Sequence, residues 1–207
     1  MVTVIKQKQY NFSKILMKSF IIALLLFASL IILKTFLNTD KVLINVNTIK
    51  FEDNISMEDK QQILGAANLI PLKVSNVVAK KYSINVVSTP VEKILNEKYH
   101  YDVLSATGVT LNDQKVIYAS CKYPSSFVHE VGHAYSHIYG LSDSTQWNNI
   151  YLSEKNNYQT TFADKYITKN SSEFFAEMFS RYCLEPKNLK VKSPVIYNYF
   201  KDLLKDA

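Results

Sequence analysis

Hydrophobic and polar positions recur with two different periods along this chain, and the place where the period changes divides it. The first apolar block stands apart from both. Ser19 to Leu33 (SFIIALLLFASLIIL) carries no charge and predicts a hydrophobic helix. From Lys41 to Phe51 (KVLINVNTIKF) β-branched residues partly alternate with polar ones, as in an opening strand. Ser56, with Asp59 three positions on, forms a capping-box pattern that starts a short helix ending near Gly65. Pro71 sits in the first turn of another helix through Val77–Lys80. Tyr82 to Ser88 (YSINVVS) predicts a strand and Pro90 to Tyr99 a helix. After the turn-like pair Asn112-Asp113, Val116 to Ala119 (VIYA) is a third strand.

From Pro124 the helical period takes over. Phe127, Val131, Ala134 and Ile138 make an apolar stripe at 3.6-residue spacing, so this helix packs on a core. Ser125 or Ser126 would cap it and Gly140 would end it. Residues 142 to 170 are polar but interleaved with Trp147, Tyr151, Tyr158, Phe162 and Tyr166, which predicts a partly helical excursion over the face of the molecule that carries any site. Asn170 or Ser171 caps a second strong helix, Ser172 to about Leu184, which Pro186 stops; Asn198 to Leu204 closes the chain as a helix. The order of elements is α+β.

Composition supports one packed domain: of 207 residues 47% are hydrophobic, with 14 Tyr and 11 Phe. The net charge of +6 would suit nucleic acid only if it formed a stripe. Instead residues 1–40 hold five Lys and one acid, Asp40, so the remainder is close to balanced at +2. Nucleic-acid binding is therefore not expected. Lys6, Lys8, Lys14 and Lys18 precede the apolar block and Lys34 follows it, the layout of an export signal. Its fifteen residues reach about 22 Å as a helix, short of the ~30 Å hydrocarbon core. Flanking lysines that snorkel could make up the difference. No small-x-small cleavage site follows. A cleaved signal peptide and a retained signal-anchor both fit residues 1–40, and each leaves 41–207 outside. Cys121 and Cys183 are too far apart in sequence for a zinc knuckle; a disulfide and two buried thiols both fit.

The chemistry concentrates at His129-Glu130-Val131-Gly132-His133. Residues four apart share a helix face, so two imidazoles can converge on one Zn²⁺. Glu130, one residue round, reaches a water in the open coordination position and can take its proton. His137 lies a turn too far on to join. A third ligand is needed. A metzincin would place a His at 139 and a Gly at 136, which are Tyr and Ser here. The downstream helix offers Glu173 and Glu177, four apart, one to ligate and one to hold a ligand His.

HEVGH followed by TFADKYITKNSSEFFAEMFSRY resembles the catalytic domain shared by anthrax lethal factor and the secreted Pro-Pro endopeptidases of Gram-positive bacteria. The resemblance covers about residues 115 to 205. It implies a zincin-like (thermolysin-like) metallopeptidase domain over 41–207, with a small twisted sheet and a helical lobe. It also implies one Zn²⁺ on His129, His133 and Glu173, with Glu130 and Tyr166 catalytic and Glu177 supporting a ligand. Tyr166 stands seven residues before Glu173, as the family's oxyanion-assisting Tyr does before its ligand Glu. The strand ahead of the metal helix, Val116, Ile117, Tyr118 and Ala119, would be an edge strand that pairs with extended substrate. The expected protein is a monomeric zinc metalloendopeptidase, secreted or tethered at a Gram-positive surface. Its substrates would be Pro-Pro or other extended segments of extracellular or host proteins, and its membrane contact only the N-terminal segment. The competing reading is a tethered binding or adhesion module on the same scaffold without turnover.

Overall fold

The computed structural model describes residues 48–158 and 162–205. The hydrophobic helix expected in 1–40, and the first part of the strand expected from Lys41, lie outside the described residues. Of that strand, Ile49–Phe51 forms β1. Among the described residues no helix is long and apolar enough to cross a membrane.

Three parallel strands and one antiparallel strand make a single sheet. β1, β2 (Ser83–Val87) and β4 (Val116–Ser120) run parallel, and β3 (Gly108–Leu111) pairs antiparallel with β4, in the order β1-β2-β4-β3. Parallel neighbours need crossovers, and two helices supply the first, α1 (Met57–Ala67) and α2 (Leu72–Lys81). Ser56 caps α1 as its spacing predicts: its Oγ accepts from the Asp59 N–H at 3.1 Å and donates to the Asp59 carboxylate at 2.7 Å.

Both faces of the sheet are covered. Ile84, Val86, Ile117 and Ala119 point to the larger core, with Phe127 and Val131 of α4 (Pro124–Tyr139). Val87, Val116 and Tyr118 face the other way onto Val91 and Leu95 of α3 (Val91–Tyr99). All four residues of Val116–Ala119 are consequently buried. This corrects their assignment as an edge strand: β4 is hydrogen-bonded on both sides, and an unbroken apolar run is what a strand buried on both faces carries. The edge next to α4 is β3, four residues that begin on a glycine and escape detection by alternation alone.

The second half is helical: α5 (Thr145–Glu154), a 3₁₀ turn (Lys155–Tyr158), α6 (Phe162–Ile167), α7 (Ser171–Leu184), α8 (Pro186–Lys192) and α9 (Pro194–Leu203). Pro124 occupies the first turn of α4, so that helix starts ahead of Ser125 and has no side-chain cap. Gly140 ends it in the left-handed region at φ 64°. Pro186 both stops α7 and opens α8. Trp147 does not belong to an excursion over a site. It is fully buried against Phe175, Tyr199 and Phe200, at ring separations of 4.9, 5.0 and 5.6 Å. Cys121 and Cys183 are both buried and free, and burial pushes the Cys183 thiol up to about 12, which makes it inert.

Candidate metal centre

Two helices build the centre. On α4 the apolar side (Phe127, Val128, Val131, Ala134) is buried, and the opposite side presents His129 and His133. On α7, Phe174, Phe175, Met178 and Phe179 are fully buried and turn Glu173 and Glu177 towards the imidazoles. The helices cross closely at Gly132. A Cβ there would lie 3.0 Å from the Phe179 ring and 3.1 Å from the Ala176 Cα, so the absence of a side chain sets how near Glu173 comes.

The start of α7 is tied down from several directions. Asn170 caps it, its Oδ1 accepting from the Glu173 N–H at 2.8 Å. The Trp147 indole donates to the Ser171 carbonyl at 3.1 Å, the Ser171 hydroxyl donates to the Ser142 carbonyl at 2.7 Å, and the Tyr151 hydroxyl to the Thr168 carbonyl at 2.8 Å. Residues 142–158 thus hold the start of α7 in place.

Three donor atoms meet at the centre. His129 Nε2 and His133 Nε2 are 3.0 Å apart, and Glu173 Oε2 lies 3.3 Å from the first and 3.4 Å from the second. Ligands 2.0–2.1 Å from a tetrahedral Zn²⁺ stand about 3.3 Å from one another, so the donor set has the spacing of three corners of such a site. Among the described residues no fourth His, Cys, Asp or Glu joins the cluster, and a catalytic site keeps such a corner for water. The other imidazole nitrogens are also engaged. His129 Nδ1 is 3.5 Å from Glu177 Oε2, and His133 Nδ1 is 3.2 Å from the Ser172 hydroxyl. Glu177 is held in turn by Arg181 Nε at 2.8 Å. Partners of this kind fix tautomer and ring orientation in metal-binding histidines.

The electrostatics call for a cation. Burial disfavours a charged His129, yet the carboxylates of Glu173 and Glu177 at its two nitrogens outweigh burial and lift its pKa to about 10. Burial likewise works against the Glu173 carboxylate, and the two imidazoles overcome it and hold its pKa far below the usual range. Without a metal, a proton on His129 serves as the positive charge; a divalent ion would replace it.

Glu130, one residue round α4 from His129, lies against β3 and is 7% exposed. Burial pushes its pKa up, opposed by His133, His129 and a hydrogen bond from Thr110. The Thr110 hydroxyl lies 2.7 Å from Glu130 Oε2 and 2.9 Å from the Glu130 carbonyl. A Cβ on Gly108 would come within 2.7 Å of Glu130 Cγ. Gly108 and Thr110 are the residues of this site that sequence reasoning missed. The signal was present, since Gly-Val-Thr-Leu, a turn and Val-Ile-Tyr-Ala-Ser read as a hairpin once the first strand is allowed only four residues.

Tyr166 is not drawn into the donor cluster. It is 56% exposed, with the Lys169 ammonium 3.7 Å from its ring centre, and the same ammonium is 3.4 Å from Glu173 Oε1. His137 is exposed on the far turn of α4.

The sequence matches the family model described as anthrax toxin lethal factor, N- and C-terminal domain, over residues 37–203. The chain belongs to that family. No curated protein matches this lethal factor family member in sequence. Among solved structures, the Pro-Pro endopeptidase PPEP-2 from Paenibacillus alvei superposes with a TM-score of 0.64 at 17% identity, covering 77% of this chain and 99% of that one. At that identity the likeness is one of fold, and it bears out the mixed α+β architecture of a small sheet with a helical lobe.

Proposed function

We propose that the chain is a zinc metalloendopeptidase of the HExxH class with a downstream Glu ligand, acting on extended peptide segments outside the cytoplasm. The observation that carries this is the triangle of His129, His133 and Glu173 donor atoms at tetrahedral-zinc spacing beside a buried carboxylate. When bound, zinc would supply Lewis acidity, polarising the scissile carbonyl and lowering the pKa of a water from ~15.7 toward ~7.

The chain's own groups do the rest. Glu130, whose pKa burial pushes up, accepts the proton of the attacking water and passes it to the leaving amine. Tyr166 donates to the oxyanion from α6, released from Lys169 as substrate enters. Substrate adds as a strand to the free edge of β3. The Ser120 N–H donates to the Thr107 carbonyl at 2.9 Å, which marks residues 107 and 120 as a hydrogen-bonded pair. By antiparallel alternation, the backbone groups of Gly108 and Thr110 then face away from β4. An extended peptide paired there runs past Glu130.

Membership of the lethal factor family supports the peptidase reading, and the fold likeness to a Pro-Pro endopeptidase makes proline-containing segments the first class to test. The lysine-flanked apolar block of residues 19–33 supports export. Incubating the zinc-loaded protein with a random peptide pool and reading the products by mass spectrometry tests catalysis and specificity together. Cleavage at a restricted set of bonds, lost with a chelator, is expected. A pool left intact by zinc-loaded protein would sink the proposal and favour a binding module.

A further inference from the structure

The residues that hold Glu130 are the same residues that present the sheet's free edge. Glu130 sits on α4, yet the hydroxyl that bonds its carboxylate comes from β3. The Thr110 hydroxyl stands 2.7 Å from Oε2, a distance for a charge-assisted bond. On the other oxygen the constraint is steric: a Cβ at Gly108 would fall 2.8 Å from Oε1, so only a glycine lets β3 pass this close. The carboxylate is thereby fixed from β3 at both oxygens, by a hydrogen bond at Oε2 and by the close passage of the Gly108 main chain at Oε1. The main chains of these two residues face outwards in the antiparallel alternation, where an added strand would pair.

We infer that Thr110 is a positioning residue for Glu130: its hydroxyl fixes the carboxylate's orientation from the edge strand, so that the strand which receives substrate also aligns the base. The inference rests on the peptidase reading above for its kinetic consequence, but not for its structural one. A hydroxyl that merely fills space would be replaced by a methyl at little cost. A hydroxyl that orients the base would not, and the loss would fall on turnover rather than on binding.

The test uses the full chain with Thr110→Val, which keeps the shape and removes the donor, and Thr110→Ser, which restores the donor. Assays use one fluorogenic peptide taken from the cleavage profile, with zinc content measured by atomic absorption on each sample. Thr110→Val is expected to lower kcat about ten- to hundredfold, the range for losing a hydrogen bond to a charged group. KM and bound zinc should stay within about twofold, and Thr110→Ser should recover most of the rate. Unchanged kcat in Thr110→Val overturns the inference. So does a loss confined to KM, which would make Thr110 a substrate contact, or an equal loss in Thr110→Ser, which would make its role one of packing. Crystal structures give a readout independent of activity. Glu130 in Thr110→Val should leave the single orientation it holds in wild type, and an unmoved carboxylate refutes the inference even if wild type cuts no peptide. A wild type without activity but with a displaced carboxylate in the variant would defeat the peptidase reading alone.

Discussion

Adding one methyl group at Gly132 tests whether the approach of α4 to α7 sets the geometry of the centre. In an unconstrained helix interior Gly→Ala is favourable by about 1 kcal/mol. Here the new Cβ would stand 3.0 Å from Phe179 Cδ1, 3.1 Å from Ala176 Cα and 3.3 Å from the Ala176 carbonyl oxygen. Ordinary contact begins near 3.4 Å, so the helices must part by a few tenths of an ångström. Neither neighbour yields easily: two atoms are backbone of a buried helix, and the Phe179 ring is fully buried against Tyr135 and Phe200. Overpacking of this kind costs about 1–3 kcal/mol, which leaves a net loss of about 1 kcal/mol, or ~2–4 °C in Tm for a chain of this size. The same separation moves Glu173 away from the imidazoles and should weaken zinc binding about tenfold, as loss of a supporting contact does. Thermal unfolding of metal-free Gly132→Ala, with a competitive zinc titration, measures both. A variant more stable by about 1 kcal/mol with unchanged affinity would show that the crossing has room, and would refute the reasoning.

Glu173→Ala should abolish tight zinc binding, whereas Glu177→Ala should weaken it about ten- to hundredfold; the reverse order, seen by equilibrium dialysis, would mean that Glu177 is the ligand. Tyr166→Phe should keep one zinc and lower kcat about a hundredfold, and an unchanged rate would remove Tyr166 from the mechanism. Far from the centre, Glu52 accepts from the Ser88 hydroxyl and amide at 2.6 and 2.7 Å and from the Thr89 hydroxyl and amide at 2.8 and 3.0 Å. With the Ser88 hydroxyl contributing most, these bonds bring its pKa from 4.5 down to about 2. A depressed carboxylate stabilises the fold above its unfolded pKa, and that contribution is lost as pH falls from 4.5 through about 2. Glu52→Gln should therefore lower Tm at pH 7 and flatten its decline across that interval; an unaltered profile would show that the bonds add nothing.

The helices that carry the His and Glu cluster were legible because their local signals agree with their tertiary roles. The apolar stripe from Phe127 to Ile138, Gly140 as a stop and Asn170 as a cap are all visible in sequence and all present in the fold. The triangle of donors follows from two such helices once they cross. The sheet was less legible because strand order is not a local property. Val116–Ala119 reads as a strand from its residues, but whether it lies at an edge depends on β3, whose four residues are too few to show a period. Trp147 is hard to place for a related reason. Between polar residues it resembles part of a surface segment, and only Phe175, Tyr199 and Phe200, distant in sequence, make it core.

If Glu130 is the base of a zinc peptidase, Glu130→Gln of known metal content should bind zinc and fail to turn over. Gln keeps the size of the side chain and can still accept from Thr110, but it cannot take a proton. Zinc and initial rate should be measured on the same sample, against wild type, with a peptide drawn from the cleavage profile. One zinc per chain is expected in both proteins, with a rate at least a thousandfold lower in the variant, roughly the upper span of general-base catalysis. A zinc-loaded Glu130→Gln that cleaves as fast as wild type would contradict that role.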